Sequence, residues 1–428
     1  MRVLYILDST SNPNWGDRAA ALSLKTMIQA SGGDIRRSIS ELELHVSTFA
    51  KSAPAVDSSP RDSARGLLKR WTPPILWESM RKGVGHLNVG LTQCLIPQRW
   101  DGFAKSAASV VKSGGLWPDF LQTVEDADVT VIHGDGCMTE NGLLARAELF
   151  LTYLIKRYFD KPVIIVNHTA DFSDPNLRRI AEEVYPLFDD VVFRDQISVE
   201  RCSHFCAGRF APDTGFLFKP ASPELWWPVA RRPTYFDVWP DTAPLDPSKP
   251  YLCVGGSSLL IKQPDLSSLR NDYALLIGHI QSRYRGQIVL TAADQLDETL
   301  FRPLGSRLNL PVIGLTTPLQ QAVDILGNAD AYIGGRWHPS IFALRGGAPI
   351  VVLSARTFKM QALSRMAGLS PDAFDVWSLA GKKEAIATQL MEHLEAGHGL
   401  RERLCRWAAL RAEESWGNVA YLRNWTEA

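Results

Sequence analysis

Residues 331–353 read AYIGGRWHPSIFALRGGAPIVVL and contain the clearest structural pattern in the chain. The apolar run Ala331–Ile333 predicts a strand, Pro339 to Arg345 predicts a helix, and Pro349–Leu353 predicts a second strand. Two glycines allow a sharp turn after the first strand, and a proline suits the first turn of a helix. A strand, a helix and a strand in this order form a parallel βαβ unit, so the stretch predicts an α/β fold.

The same alternation occurs on both sides of a proline-rich segment. Further predicted strands are Val3–Leu7, Asp128–Ile132, Val163–Val166, Asp190–Phe193, Tyr251–Val254 and Gln287–Leu290. Eight prolines between Lys219 and Pro250 disfavour helix and central strand there. We therefore predict two doubly wound, Rossmann-like domains that face each other across a cleft. The predicted parts are an N-terminal α/β domain (1–220, with an insertion at about 52–120), a proline-rich linker (221–250), a C-terminal α/β domain (251–400) and a helical tail (401–428).

The composition excludes several classes of protein. The 428 residues include 46 basic and 46 acidic side chains, so the chain lacks the basic excess of a nucleic-acid-binding protein. Its six cysteines are few and irregularly spaced, which favours free thiols over disulfides. Cys202, His204 and Cys206 have no second ligand pair at the spacing of a zinc site, so we expect no metal. We expect a cytoplasmic protein, because no apolar run approaches the roughly 20 residues of a membrane span.

The predicted insertion leaves two interpretations open. Residues 65–105 mix basic, apolar and aromatic side chains. Such a surface can lie on anionic lipid, at the inner face of the membrane where lipid-linked sugars are built. The same pattern fits an ordinary helical hairpin that covers the core of the domain, which is the commoner arrangement.

Polar and glycine-rich segments follow the predicted strands, at the sheet edge where parallel α/β proteins bind ligands. Gly334 and Gly335 allow the backbone to approach a ligand, and Arg336 offers a planar pair of donors to phosphate or carboxylate. His338 can carry a proton near neutral pH, at a helix start whose free N–H groups favour an anion. Arg194 ends another strand and is also predicted to bind an anion. The alternative is that the arginines pair with structural carboxylates and that His338 only caps the helix.

Five further candidates follow strands of the N-terminal half. Asn14, Trp15 and Asp17 follow the first strand. Asp17 suits either contact with sugar hydroxyls or capping of the next helix, and Trp15 either stacks on a sugar or fills the domain interface. His133 and His168 each end an apolar strand, where a buried structural role is the commoner alternative to a functional one.

Several segments resemble, in the same order, motifs of the polysaccharide pyruvyl transferase family. The segments are NWGD (14–17), FRDQIS (193–198), DTGF (213–216), RWHPSIFAL (336–344) and GAP (347–349), and Lys359 falls where the family has a lysine. The arginine–histidine segment is the most specific of these. Two positions depart from the family: Asp135 lies between Gly134 and Gly136 where the family often has three glycines, and Trp337 replaces an aliphatic residue.

The resemblance implies a glycosyltransferase-B-like fold and transfer of a pyruvyl group from phosphoenolpyruvate to a sugar of a polysaccharide or glycan precursor, as a ketal. Together with the strand-end positions, it assigns proton transfer to His338, donor binding to Arg194, Arg336, Gly334, Gly335, Ser340 and Lys359, and acceptor binding to Asn14, Trp15, Asp17, His133 and His168. Protonation of the enol carbon while a hydroxyl loses its proton requires a positioned acid–base group. No cofactor is expected beyond phosphoenolpyruvate as the donor substrate, and the acceptor saccharide could be lipid-linked.

Two other functions stay open at this point. The same fold could bind a nucleotide-sugar, with the turn at Arg336 and His338 holding a diphosphate, although no clear acidic pair for ribose hydroxyls follows Gly347. A non-catalytic glycan-binding relative is the other alternative, which the presence of Arg194, Arg336 and His338 disfavours. The sequence predicts no oligomeric state.

Overall fold

The structure is a computed structural model that describes residues 1–49, 94–236, 243–263 and 265–425. Within these residues, two sheets of parallel strands are each flanked by helices. The fold is therefore α/β with two Rossmann-like domains, as the alternation of strands and helices predicts.

The N-terminal domain contains a six-stranded sheet. Its strands are β1 (Arg2–Asp8), β2 (Asp34–Ser40), β3 (Val129–Asp135), β4 (Val163–His168), β5 (Asp190–Phe193) and β6 (Arg209–Phe210). Its helices are α1 (Trp15–Ala30), α2 (Glu41–Ser47), α3 (Phe103–Lys112), α4 (Phe120–Asp126), α5 (Leu143–Phe159), α6 (Pro175–Val184) and α7 (Gln196–Cys202). The strands lie in the order β2-β1-β3-β4-β5-β6, so the winding reverses between β1 and β3.

The second half of the chain contains a five-stranded sheet. Its strands are β7 (Tyr251–Ser257), β8 (Gln287–Thr291), β9 (Val312–Ile313), β10 (Ala331–Gly335) and β11 (Ile350–Val352). The helices are α8 (Pro223–Ala230), α9 (Ser267–Gln281), α10 (Gln295–Leu308), α11 (Leu319–Gly327), α12 (Trp337–Arg345), α13 (Lys359–Met366), α14 (Leu379–Glu395), α15 (Gly397–Glu414) and α16 (Ala420–Arg423). The order β11-β10-β7-β8-β9 reverses the winding between β7 and β10.

The strand–helix–strand unit that begins at residue 331 forms one side of the second sheet, with β11 at its edge. Ile333 in β10 pairs in parallel with Val254 in β7 and with Val351 in β11. All three side chains are buried. Helices cover both faces of such a sheet, which explains why its strands are continuous apolar runs rather than alternating ones.

The proline-rich segment differs from the prediction because it contains helix α8. Pro223 lies in the first turn, where its missing N–H group costs no hydrogen bond. Trp226 is buried and packs against Tyr251 at the start of β7. The expectation that proline density disfavours helix was therefore wrong for residues 223–230, because Pro223 suits the helix start and the short helix also accommodates Pro228.

The C-terminal tail returns to the N-terminal domain. After α15, Val419 and Leu422 are buried against Val3 and Tyr5. Most of the segment predicted either to contact lipid or to cover the core lies outside the described residues, which resume at Cys94. None of the described helices has both the length and the apolar character needed to cross a bilayer.

Candidate active site

The carboxyl ends of the two sheets face each other across a cavity of about 790 Å³. Segments after β1 and β3 line it from the N-terminal domain, and segments after β7, β8 and β10 line it from the other. Each sheet reverses its winding beside these strands, which is where parallel α/β sheets open a crevice. Arg194, Arg336, His338 and Lys359 come from distant parts of the sequence and all line this cavity.

Arg336 lies directly before α12 and is held by two carboxylates of its own domain. Its Nη2 donates to Asp297 Oδ1 at 2.8 Å and its Nε to Asp297 Oδ2 at 3.1 Å, and Asp294 Oδ1 is 3.2 Å from Nη2. Burial raises the pKa of Asp297 to about 7, although Arg336 opposes the shift. Gly256 leaves room for this carboxylate, because a Cβ there would collide with it. Arg336 thus pairs with structural carboxylates, which is the alternative to anion binding that the sequence left open.

Arg194 follows β5 and has an equivalent pair of carboxylates. Its Nη1 contacts Asp135 and donates to Asp213 Oδ2 at 3.0 Å, and its Nε donates to Thr169 Oγ1 at 3.0 Å. The guanidinium carbon lies 4.9 Å from the ring of Trp337 in the other domain. Burial favours the neutral form of Asp135, but Arg194 outweighs it and lowers the pKa of Asp135 to about 2. Both arginines are therefore paired with carboxylates of the protein.

His338 lies in the first turn of α12 and faces the N-terminal domain. Its Nε2 is 3.5 Å from Asp213 Oδ1, an ion-pair distance rather than a short hydrogen bond. The other oxygen of the same carboxylate accepts a hydrogen bond from Trp337 Nε1 at 3.0 Å. Gly16 in α1 packs against the imidazole, because a Cβ at that position would collide with the ring. Both domains therefore enclose this side chain, which is 7% exposed.

Lys359 starts α13 and lines the cavity beside the two arginines. Burial and the neighbouring Arg194 lower the pKa of its ammonium group to about 8. Among the residues that the structure describes, no carboxylate forms an ion pair with Lys359. Its charge is therefore available to an anion to a greater extent than that of Arg194 or Arg336.

Asn14 and Asp17 line the cavity from the start of α1. Asn14 is the N-cap, since its Oδ1 accepts hydrogen bonds from the backbone N–H groups of Gly16 at 2.8 Å and Asp17 at 3.3 Å. The capping role considered for Asp17 therefore belongs to Asn14. Asn14 also donates to Asp294 across the interface at 3.3 Å, while Asp17 accepts from Asn12 at 3.1 Å. Burial and nearby carboxylates raise the pKa of Asp17 well above its usual range.

The two histidines of the N-terminal half have different positions. His133 lines the cavity, with Nδ1 at 3.3 Å from Tyr5 Oη and Nε2 at 3.1 Å from Asn167 Nδ2. His168 lies in the core, with its nitrogens 3.0 Å from a backbone carbonyl and 3.0 Å from Tyr185 Oη. Burial lowers the pKa of His168 to about 3, so the ring is neutral. The structure corrects the prediction of acceptor contact for His168, because its hydrogen-bonding groups are used inside the domain.

Four other predicted ligand-binding residues do not line the cavity. Trp15 is completely buried in an apolar cluster with side chains of the second domain, so it fills the interface. A Cβ at Gly334 would collide with the Tyr332 side chain, and one at Gly335 would crowd a neighbouring strand end, so both glycines serve packing. Ser340 donates from Oγ to the backbone carbonyl four residues earlier at 2.8 Å. The prediction that these four residues contact a ligand directly was wrong, because packing or local hydrogen bonds occupy these positions.

Asp135, Asp213 and His338 each place one potential metal ligand within 4.8 Å of the others. Arg194 contacts both carboxylates, however, and its guanidinium supplies the positive charge there. The cluster is therefore better explained as an ion-pair network than as a metal site.

The sequence model of the polysaccharide pyruvyl transferase family matches residues 14–356, which is more than half of the chain. The chain belongs to the polysaccharide pyruvyl transferase family. This is a family of enzymes, and the matched region contains Arg194, Arg336 and His338 but ends before Lys359. No curated protein matched the chain.

Solved structures share the fold of this pyruvyl transferase family member at low identity. Spinosyn rhamnosyltransferase SpnG is 13% identical, with 99% of this chain and 100% of that chain covered and a TM-score of 0.52. UGT89C1 from Arabidopsis thaliana, complexed with quercetin, is 13% identical, with 98% of each chain covered and a TM-score of 0.52. UDP-GlcNAc 2-epimerase from Neisseria meningitidis is 11% identical, with 96% and 99% covered and a TM-score of 0.50. These likenesses establish a glycosyltransferase-B-like fold.

Four carboxylates that contact the arginines of this cavity were not among the residues predicted from the sequence. Asp135 interrupts the glycine turn that the family often has, and Asp213 opens the DTGF motif, so both had a signal in the sequence. Asp294 and Asp297 follow β8, where polar residues at a strand end could have been noticed. Only the structure shows that all four contact the two arginines.

Proposed function

We propose that the chain transfers a pyruvyl group from phosphoenolpyruvate to two hydroxyl groups of a sugar, forming a cyclic ketal and releasing inorganic phosphate. The observation that carries this proposal is the convergence of Arg194, Arg336, His338 and Lys359 on one cavity, in a member of the polysaccharide pyruvyl transferase family. The sugar would belong to a polysaccharide or to a glycan precursor. A cytoplasmic location and a lipid-linked acceptor remain predictions.

The cations of the cavity suit a donor that carries a phosphate and a carboxylate. Arg194 Nη2 and Arg336 Nη1 make no hydrogen bond with the residues that the structure describes, so each guanidinium keeps a donor for a ligand. Lys359 adds a charge that no described carboxylate pairs with. The start of α12, which lines the cavity at Trp337, adds backbone N–H groups and the positive end of a helix dipole.

The reaction balances without a further reactant. The methylene carbon of phosphoenolpyruvate gains a proton and becomes a methyl group. Two sugar oxygens form bonds to the central carbon, and the bond from that carbon to the phosphate oxygen breaks. Of the two protons lost by the hydroxyl groups, one balances the proton gained by carbon and the other leaves with the phosphate.

His338 is the group that the geometry favours for proton transfer. Its Nε2 is buried 3.5 Å from Asp213 Oδ1, and we infer that Nδ1, which lies beside Gly16, is the nitrogen that exchanges a proton with a molecule in the cavity. A positioned acid–base group of this kind contributes about 10²- to 10⁴-fold to a rate. Asn14, Asp17 and His133 line the N-terminal wall, where their polar atoms can meet hydroxyl groups of the acceptor.

The test is incubation of the purified protein with phosphoenolpyruvate and a panel of saccharides. We expect acceptor-dependent phosphate release and a product heavier by one pyruvyl ketal. His338→Ala should lower turnover by about 10²-fold or more while the protein stays folded. His398→Ala is the control, because that ring is 83% exposed on α15 and lies outside the cavity.

Other outcomes would point to the alternatives. Release of a nucleotide from a nucleotide-sugar, without turnover of phosphoenolpyruvate, would identify a glycosyltransferase. Saccharide binding without release of phosphate or nucleotide would identify a glycan-binding protein. Either result would overturn the proposal.

A further inference from the structure

Asp213 is a buried carboxylate at the interface of the two domains. It begins a short 3₁₀ turn, and its Oδ1 accepts a hydrogen bond from the backbone N–H of Gly215 at 2.7 Å. Its Oδ2 accepts from Arg194 in its own domain and from Trp337 in the other, both at 3.0 Å. Burial favours the neutral carboxyl, but His338 and Arg194 outweigh it and hold the pKa of Asp213 well below its usual range. The group is therefore a carboxylate with donors from both domains.

The charges of this cluster connect Asp213 to His338. Asp135 and Asp213 carry two negative charges against the single positive charge of Arg194. The sum is −1 when the imidazole is neutral (−2 + 1) and 0 when it carries a proton (−2 + 1 + 1). An unbalanced charge is costly in a buried site, so the excess negative charge of this cluster lies where it can attract an N–H group of His338.

We propose that Asp213 is a positioning residue, which accepts the Nε2 proton of His338 and so leaves Nδ1 to exchange protons with the substrate. The inference rests on the proposed function, because it gives His338 its role in pyruvyl transfer. Since Asp213 and His338 belong to different domains, the imidazole is oriented only when the two domains are docked.

A second buried aspartate provides a matched comparison. Asp195 caps α7, where its Oδ1 accepts from the backbone N–H of Ser198 at 2.8 Å and its Oδ2 from Ser198 Oγ at 2.9 Å. An asparagine keeps the capping oxygen at either position and loses the charge. Only Asp213 is in an ion pair with His338. A difference between the two substitutions therefore reports the contacts of Asp213 with His338, Arg194 and Trp337 rather than the loss of a buried cap, and the ring tautomer separates the contact with His338 from the other two.

The first measurement compares the kinetics of Asp213→Asn and Asp195→Asn. We expect kcat of Asp213→Asn to fall by about 10²-fold, with a smaller change in KM for phosphoenolpyruvate, because the proton-transfer group loses its orientation. Asp195→Asn should stay close to the unaltered protein. Equal kcat values for the two folded variants would overturn the proposal.

The second measurement needs no catalytic activity. ¹⁵N-labelled histidine reports the ring tautomers of the nine histidines, and His338→Gln identifies the His338 signals by their loss. We expect the neutral ring to carry its proton on Nε2, and the signals to move in Asp213→Asn but not in Asp195→Asn. A neutral ring with its proton on Nδ1 in the unaltered protein would overturn the proposal, even if Asp213→Asn does not fold. The expected tautomer without any pyruvyl transfer would instead contradict the proposed function alone.

Discussion

The two arginines of the cavity are built alike but anchored differently. Each follows a strand and is held by two aspartates. The partners of Arg336, Asp294 and Asp297, belong to its own domain. The Arg194 cluster extends across the interface, because Asp213 also accepts from Trp337 and pairs with His338.

This difference indicates which half of the site exists before the domains meet. Both arginines have their ion pairs within one domain, and Asp294 also accepts from Asn14 across the interface. The Arg194 cluster gains contacts with both Trp337 and His338 when α12 reaches the N-terminal domain. The ion pairs of the arginines thus form within single domains, whereas the contact proposed to orient His338 requires both domains. Docking of the two domains, rather than local folding, brings His338 to Asp213.

The largest effect should follow removal of either arginine. Arg194→Met and Arg336→Met each leave one fully buried carboxylate and one partly buried carboxylate without the arginine, which costs about 3–5 kcal/mol of unfolding free energy. Hydrogen exchange should increase on both sides of the interface in Arg194→Met, but mainly in α10 and α12 in Arg336→Met. Arg406→Met is the control, because that side chain is 72% exposed. Identical hydrogen-exchange patterns in the two variants would contradict the inference that the two arginine clusters are anchored differently.

A second test breaks the interface beside His338. Gly16→Ala places a methyl group against the imidazole, so we expect a loss of about 1–3 kcal/mol and a large fall in turnover. Gly278→Ala on α9 is the matched control, because nothing lies within 4 Å of its added Cβ. Thermal unfolding and steady-state kinetics measure both effects. Normal turnover in Gly16→Ala would show that the packing around the ring is not needed.

The two clusters should also respond to pH in opposite directions. The pKa of Asp135 is lowered to about 2, so its stabilising contribution is present above about pH 4 and is lost as pH falls towards 2. The pKa of Asp297 is raised to about 7, so the unfolded state ionises first and stability falls as pH rises from about 4 to 7. Asp135→Asn should flatten the acidic part of a plot of melting temperature against pH, and Asp297→Asn the part between pH 4 and 7. Unchanged slopes would show that the partners do not set these ionisations.

The smallest expected effect concerns Lys359. Its pKa of about 8 means that the ammonium is protonated at pH 7 and largely neutral at pH 9. We expect KM for phosphoenolpyruvate to rise by roughly tenfold over that range, because the fraction of charged lysine falls by about that factor. Lys359→Arg should remove this dependence, since arginine stays protonated. A flat profile in the unaltered protein would exclude Lys359 from donor binding.

Strand-end positions and motifs were enough to predict that Arg194, Arg336, His338 and Lys359 converge. They were not enough to predict the position of Trp15, because an aromatic ring suits contact with a sugar and packing at a domain interface equally well. In the structure Trp15 is buried in the core. Nor could they distinguish His133, which lines the cavity, from His168, whose ring nitrogens form hydrogen bonds inside the core. Each of these outcomes depends on neighbours that are distant in the sequence.

By itself, the sequence determined the α/β alternation, the family and the set of cations at the strand ends, because each depends on residues close together in the chain. The tertiary structure alone decided that each arginine pairs with two aspartates and that His338 meets Asp213 across the interface. Such pairings depend on where separate segments meet after the domains dock, and no local pattern encodes the distance between them.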